Sequence, residues 1–107
     1  MAVALGTILA LLSLKGENRR PALGFFHGLT GLAGFLVFLL AARGGEAGQA
    51  AFFATLATVL LLLALSCGPF IPLLSRRAPR MSGAALVLHA CAAVTGFVVF
   101  LAWTSLK

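Results

Sequence analysis

The sequence predicts an all-α integral membrane protein, a four-helix bundle built from two repeated helix hairpins with a short first helix. Three observations predict it. Of the 107 residues, 62% are hydrophobic and only 9% charged, and the apolar runs approach the ~20 residues that span a bilayer as helix. One stretch of the sequence recurs at a fixed offset. The basic residues cluster in two of the three segments between apolar runs. Membrane segments and short loops use up residues 1–107, which read as a single transmembrane domain without room for an extramembrane catalytic module.

The first apolar run covers about 2–14. At ~1.5 Å rise per residue it reaches roughly 20 Å, less than the ~30 Å apolar core of a bilayer. A cleaved signal peptide is the competing reading, but a basic leading region is missing and no polar mature domain follows, so a short first helix is expected. The second, third and fourth spans are read at about 23–42, 50–67 and 83–103. Gly68-Pro69 and Pro72 should bend or end the third helix, because proline removes a backbone donor. That bend is either a simple terminus or an opening for a quinone head group beside Ser66 or Ser75. Trp103, near the end of the fourth span, is expected as an interfacial anchor.

The repeat is read at His27, where His-x6-Gly-Phe-x-Val-Phe-Leu runs to Leu39 and recurs from His89 to Leu101, offset by 62 without a gap. The same offset pairs Gly6 with Gly68 and Leu11-Leu12-Ser13 with Leu73-Leu74-Ser75. Helix one thus matches the end of helix three. This makes two copies of a hairpin, the first of which has lost, or does not include, the start of its leading helix. Parallel repeats about an axis along the membrane normal are an established plan for membrane proteins.

Charge gives orientation. Lys15, Arg19 and Arg20 follow helix one, and Arg76, Arg77 and Arg80 follow helix three. The remaining loop holds Arg43 and Glu46, which cancel. The positive-inside rule places both basic loops in the cytoplasm and both termini outside, with Lys107 the one charge against this. The expected setting is a bacterial inner membrane. The net charge of +6 is this topology signal, so nucleic acid is not implied as a partner.

Helices two and four both start from the basic side. They are therefore parallel, lie diagonally in an up-down-up-down bundle, and hold His27 and His89 level. A lone membrane histidine is often a hydrogen bonder between helices, but ionisable residues at this depth are functional candidates, and two matched ones suggest one flat ligand held from both sides. Neutral imidazole suits iron. Haem b needs no covalent link, and the Cys-x-x-Cys-His signature of c-type haem is absent. Positions +4, +7 and +11 share the face of each histidine: Gly31, Gly34 and Phe38 on helix two, Ala93, Gly96 and Phe100 on helix four. The small residues would let a macrocycle lie close to the backbone and the phenylalanines would cap its edge; equally, small residues at this spacing serve close helix packing. Arg19, Arg20, Arg76, Arg77 and Arg80 are placed to meet haem propionates, although topology alone would also explain them.

With this arrangement the chain resembles the small membrane b-type cytochromes, in the broad sense of cytochrome b561-like proteins and the haem-carrying anchors of respiratory dehydrogenases. The resemblance is architectural, a four-helix bundle with paired histidines on helices two and four. Dihaem members of those groups use four histidines and this chain has two, so one bis-histidine haem is implied. It implies electron transfer between a quinone pool and a partner protein, with His27 and His89 as axial ligands and a larger membrane complex around the chain.

Other chemistry fits poorly. Glu17 and Glu46, the only acidic side chains, lie in loops, so carboxylate pairs and an embedded acid for proton-coupled transport are missing. Cys67 and Cys91 sit in apolar helices, where buried thiols and no disulfide are expected. Two alternatives stay open beside the cytochrome: a bacteriochlorophyll-binding subunit, and a cofactor-free structural or assembly subunit of a larger membrane complex.

Overall fold

The structure, a computed structural model, describes residues 2–14, 21–45 and 47–106. Lys15, Glu17, Arg19, Arg20, Glu46 and Lys107 lie outside the described residues. The chain is all-helical, without strands among the described residues. Helix α1 covers Ala2–Leu14, α2 Pro21–Ala41, α3 Gly48–Cys67, α4 Phe70–Arg77 and α5 Pro79–Ser105, with a 3-10 turn at Ala42–Gly44. The third apolar span of the sequence is thus α3 with α4 as its bent continuation, and the fourth is α5.

The boundaries have local causes. Pro21 opens α2 and Pro79 opens α5, where the missing N–H costs nothing because a first-turn amide has no partner within the helix. The chain leaves α2 through its 3-10 turn to Gly45 at φ 71° and enters α3 through Gly48 at φ 65°, conformations that side-chain-bearing residues rarely take. At the end of α3, Gly68 donates its N–H to the Ala64 carbonyl at 3.1 Å, and Pro69 has no N–H with which to continue the ladder. The pattern restarts one turn later in α4. Ala78, restricted by the proline after it, sits at φ −144°, ψ 78° and separates α4 from α5.

Three helical runs, 22–44, 48–77 and 79–105, are long and apolar enough to cross a bilayer, and α1 is a shorter apolar helix. Their side chains face outward to an extent that suits lipid and not water: Phe25 is 66% exposed, and Val37, Leu40, Phe52 and Val87 are similarly bare. The molecule extends 45 Å along its longest axis, enough for the ~30 Å hydrocarbon layer.

What core there is lies between α3 and α5, the most extensive helix pairing in the molecule, while α1 rests on α2, α4 on α5 and, more lightly, α2 on α3. Ala57, Ala64 and Ala92 are buried, and small residues let two helix backbones approach in the absence of a hydrophobic driving force from water. Gly96 belongs to the same seam. A Cβ there would stand 3.0 Å from Leu61 Cδ2 and 3.1 Å from Leu60 Cβ.

The same core takes in Phe35, Phe38 and Trp103, where Phe38 packs edge-on against Phe100 at a centroid distance of 5.6 Å and against Trp103 at 5.2 Å. Trp103 is only 3% exposed. This corrects the expectation of an interfacial anchor. The ring turns inward against Phe38, edge-on at 5.2 Å, and Phe100, tilted by 35° at 5.9 Å, and such pairs gain about 0.5–1.5 kcal/mol each beyond area burial.

Candidate functional site: the paired histidines

His27 lies in the second turn of α2 and His89 in the third turn of α5, both half-buried. Their rings meet with centroids 5.9 Å apart at an interplanar angle of 83°. The two residues are counterparts in the repeat of 62, and so are Phe38 and Phe100, which meet at 90° further along the same helices. Residues that contact their own counterparts lie on a pseudo-twofold axis, as in an isologous interface. Here the axis runs along α2 and α5, between the histidines at one level and between the phenylalanines about 16 Å away, eleven residues of helix rise.

The surroundings of each ring repeat as well. His27 Nδ1 lies 2.8 Å from the Ala2 carbonyl oxygen, and His89 Nδ1 lies 2.8 Å from the Ala64 carbonyl oxygen, each across 25 residues. Ala2 and Ala64 are themselves 62 apart. One turn further on, Gly6 and Gly68 lie beneath the imidazoles. A Cβ on Gly6 would stand 2.9 Å from His27 Cε1, and one on Gly68 would stand 3.5 Å from His89 Cε1.

These bonds assign the tautomers. A backbone carbonyl can only accept, so a neutral imidazole bonded to it carries its proton on Nδ1 and keeps the Nε2 lone pair. Histidines that bind metals show the same pattern, one nitrogen donating to a carbonyl and the other left as the donor atom.

The remaining candidates divide. Gly31 faces Leu65, whose Cδ2 would be 3.8 Å from an added Cβ, and Gly96 is filled by Leu60 and Leu61. Both therefore serve helix packing against α3. Gly34, the counterpart of Gly96, has nothing within 4 Å of an added Cβ, and Ala93 is half-buried on α5. Phe38 and Phe100 cap each other and not an edge beside the histidines, a correction that follows from the rise of the helix. Arg76 and Arg77 end α4 and Arg80 opens α5, all three exposed. Arg80 stands about 13 Å of helix rise from His89. Arg19 and Arg20 fall outside the described residues.

The hydroxyls proposed for a quinone are engaged within their own helices: Ser66 donates to the Leu62 carbonyl and Ser75 to the Pro72 carbonyl, both at 2.8 Å. Cys67 is a half-buried free thiol and Cys91 an exposed one, which corrects the expectation that both are buried. No cluster of three or more His, Cys, Asp or Glu side chains occurs among the described residues. Ala2, Gly6, Ala64 and Gly68 complete the site. Sequence reasoning noted the match of Gly6 with Gly68 but not its purpose. The signal was the constant spacing from each alanine to its histidine.

Comparison with protein-family models, with curated proteins and with solved structures yields no match. The class is therefore carried by the fold and the site alone: an all-helical, apolar protein with a symmetric pair of carbonyl-anchored histidines.

Proposed function

We propose that this chain is a four-helix membrane protein, set in a bacterial inner membrane with its basic loops toward the cytoplasm, that holds one haem b between His27 and His89 and relays electrons between a quinone pool and a larger membrane complex. The observation that carries the reading is the geometry of the pair. One metal bonded to two imidazoles separates the ring centres by about 6 Å, two bonds of about 2 Å plus the half-width of each ring; the 5.9 Å between His27 and His89 is compatible with that spacing and equally with a direct edge-to-face contact of the two rings. The donor set agrees, because both rings are anchored through Nδ1 and so keep a lone pair on Nε2.

When bound, the haem supplies one-electron exchange. The chain's own residues do the rest. His27 and His89 hold the iron from two helices, the Ala2 and Ala64 carbonyls fix each ring's tautomer and direction, and the apolar surroundings keep water from the site. Arg76, Arg77 and Arg80 supply positive charge at the cytoplasmic face, where propionates or a partner's acidic surface would be met.

A second reading, a cofactor-free structural subunit, has its own support. The imidazoles already have hydrogen-bond partners and pack edge to face, and Gly31 and Gly96 are taken up by helix packing. Substitution separates the readings. If the histidines are ligands, His27→Ala and His89→Ala each abolish haem retention completely. If they only pack, each variant loses stability by degrees and the protein purified from its native membrane carries no haem in any form.

A further inference from the structure

The two halves of the site are equivalent in kind but not in tightness, and the difference falls on a glycine. Around His27, an added Cβ on Gly6 would stand 2.9 Å from Cε1, 3.4 Å from Nδ1 and 3.5 Å from Nε2 of the ring. Those are three contacts with one flat group, the first shorter than carbon atoms tolerate. Around His89, the corresponding distance from Gly68 is 3.5 Å, an ordinary van der Waals contact. The His27 ring is held against α1 by its bond to Ala2, so a Cβ at Gly6 requires the ring or α1 to shift and strains that bond.

We infer that Gly6 is a positioning residue for His27: its bare backbone forms the seat on which the imidazole lies, and that seat keeps the Nδ1–H bonded to Ala2, which leaves the lone pair on Nε2. Gly68 has the same place in the repeat without the same constraint. The functional meaning of this seat rests on the haem reading above, but the seat itself does not. It is a property of the protein without cofactor.

The test is nitrogen NMR of 15N-histidine-labelled full-length protein in lipid nanodiscs, prepared without haem. In the wild type both histidines should report the neutral Nδ1–H tautomer. Gly6→Ala should shift the His27 signals toward a mixture of tautomers and leave His89 unmoved, whereas Gly68→Ala should leave both as they were. Helix content is expected to survive, since alanine is a better helix former than glycine. If Gly6→Ala yields no folded protein, the wild-type tautomer of His27 decides alone. An Nε2–H tautomer at His27, an unchanged His27 in Gly6→Ala, or equal effects of the two glycine variants would overturn the inference. A haem-free protein from the native membrane would remove the haem reading and leave this result standing.

Discussion

His27 and His89 face each other edge to face at 5.9 Å, and each is the other's counterpart in the internal repeat. This one contact joins the duplication to the site. A repeat whose copies met elsewhere would put the two imidazoles in separate environments; a repeat whose axis passes between them gives one site with two walls of the same kind. The paired bonds to Ala2 and Ala64, both 2.8 Å, are the same symmetry one layer further out.

The repeat is incomplete in its packing, and this has a mechanical consequence. Gly96 is covered by Leu60 and Leu61, while its counterpart Gly34 is open. Gly96→Leu should therefore destabilise by about 1–3 kcal/mol through overpacking, and Gly34→Leu should stay within about 0.5 kcal/mol of wild type. Unfolding in mixed micelles measures both. Equal effects would show that α3 does not lie on Gly96.

Trp103 supports the far end of the bundle. Replacing it by alanine should cost roughly 3 kcal/mol, the usual cost of removing a large buried aromatic, whereas Phe25→Ala, on a bare surface, should change little. A small loss at Trp103 would return that ring to the interfacial role expected from its position in the sequence.

The thiols differ in access. Cys91 is exposed and Cys67 half-buried, so an apolar, membrane-permeant maleimide should modify Cys91 several-fold faster in detergent-solubilised protein. Mass spectrometry of timed samples reads the order, and faster labelling of Cys67 would contradict the orientation of α5.

Orientation is open to the same chemistry. In a variant lacking native cysteines, a cysteine replacing Arg77 should be blocked by an impermeant reagent only in inverted vesicles, and one replacing Gly45 only in right-side-out ones. The reverse pattern would place the basic loops outside.

Much of the fold was legible in the sequence, for physical reasons. Apolar length sets helix length, and Pro69, Pro79 and Gly45 act through the backbone, so the spans were readable to within a few residues. The level placement of the histidines was readable too, since short connections make α2 and α5 parallel. Side-chain direction was less so. Nearly every residue in these helices is apolar, and periodicity then says little about which face turns inward. Trp103 and Cys91 were misjudged for that reason, and Gly31 and Gly96 could be assigned to packing only once Leu65, Leu60 and Leu61 were seen beside them. The roles of Ala2 and Ala64 could not be read at all, because backbone carbonyls leave no mark on residue type.

The claim that one haem lies between His27 and His89 is tested most directly by isolating the protein from its native membrane and recording haem content together with the reduced-minus-oxidised spectrum. One haem b per chain, with the bands of low-spin, bis-histidine iron, is expected. Protein that is folded, pure and free of haem, with no such bands, would contradict it.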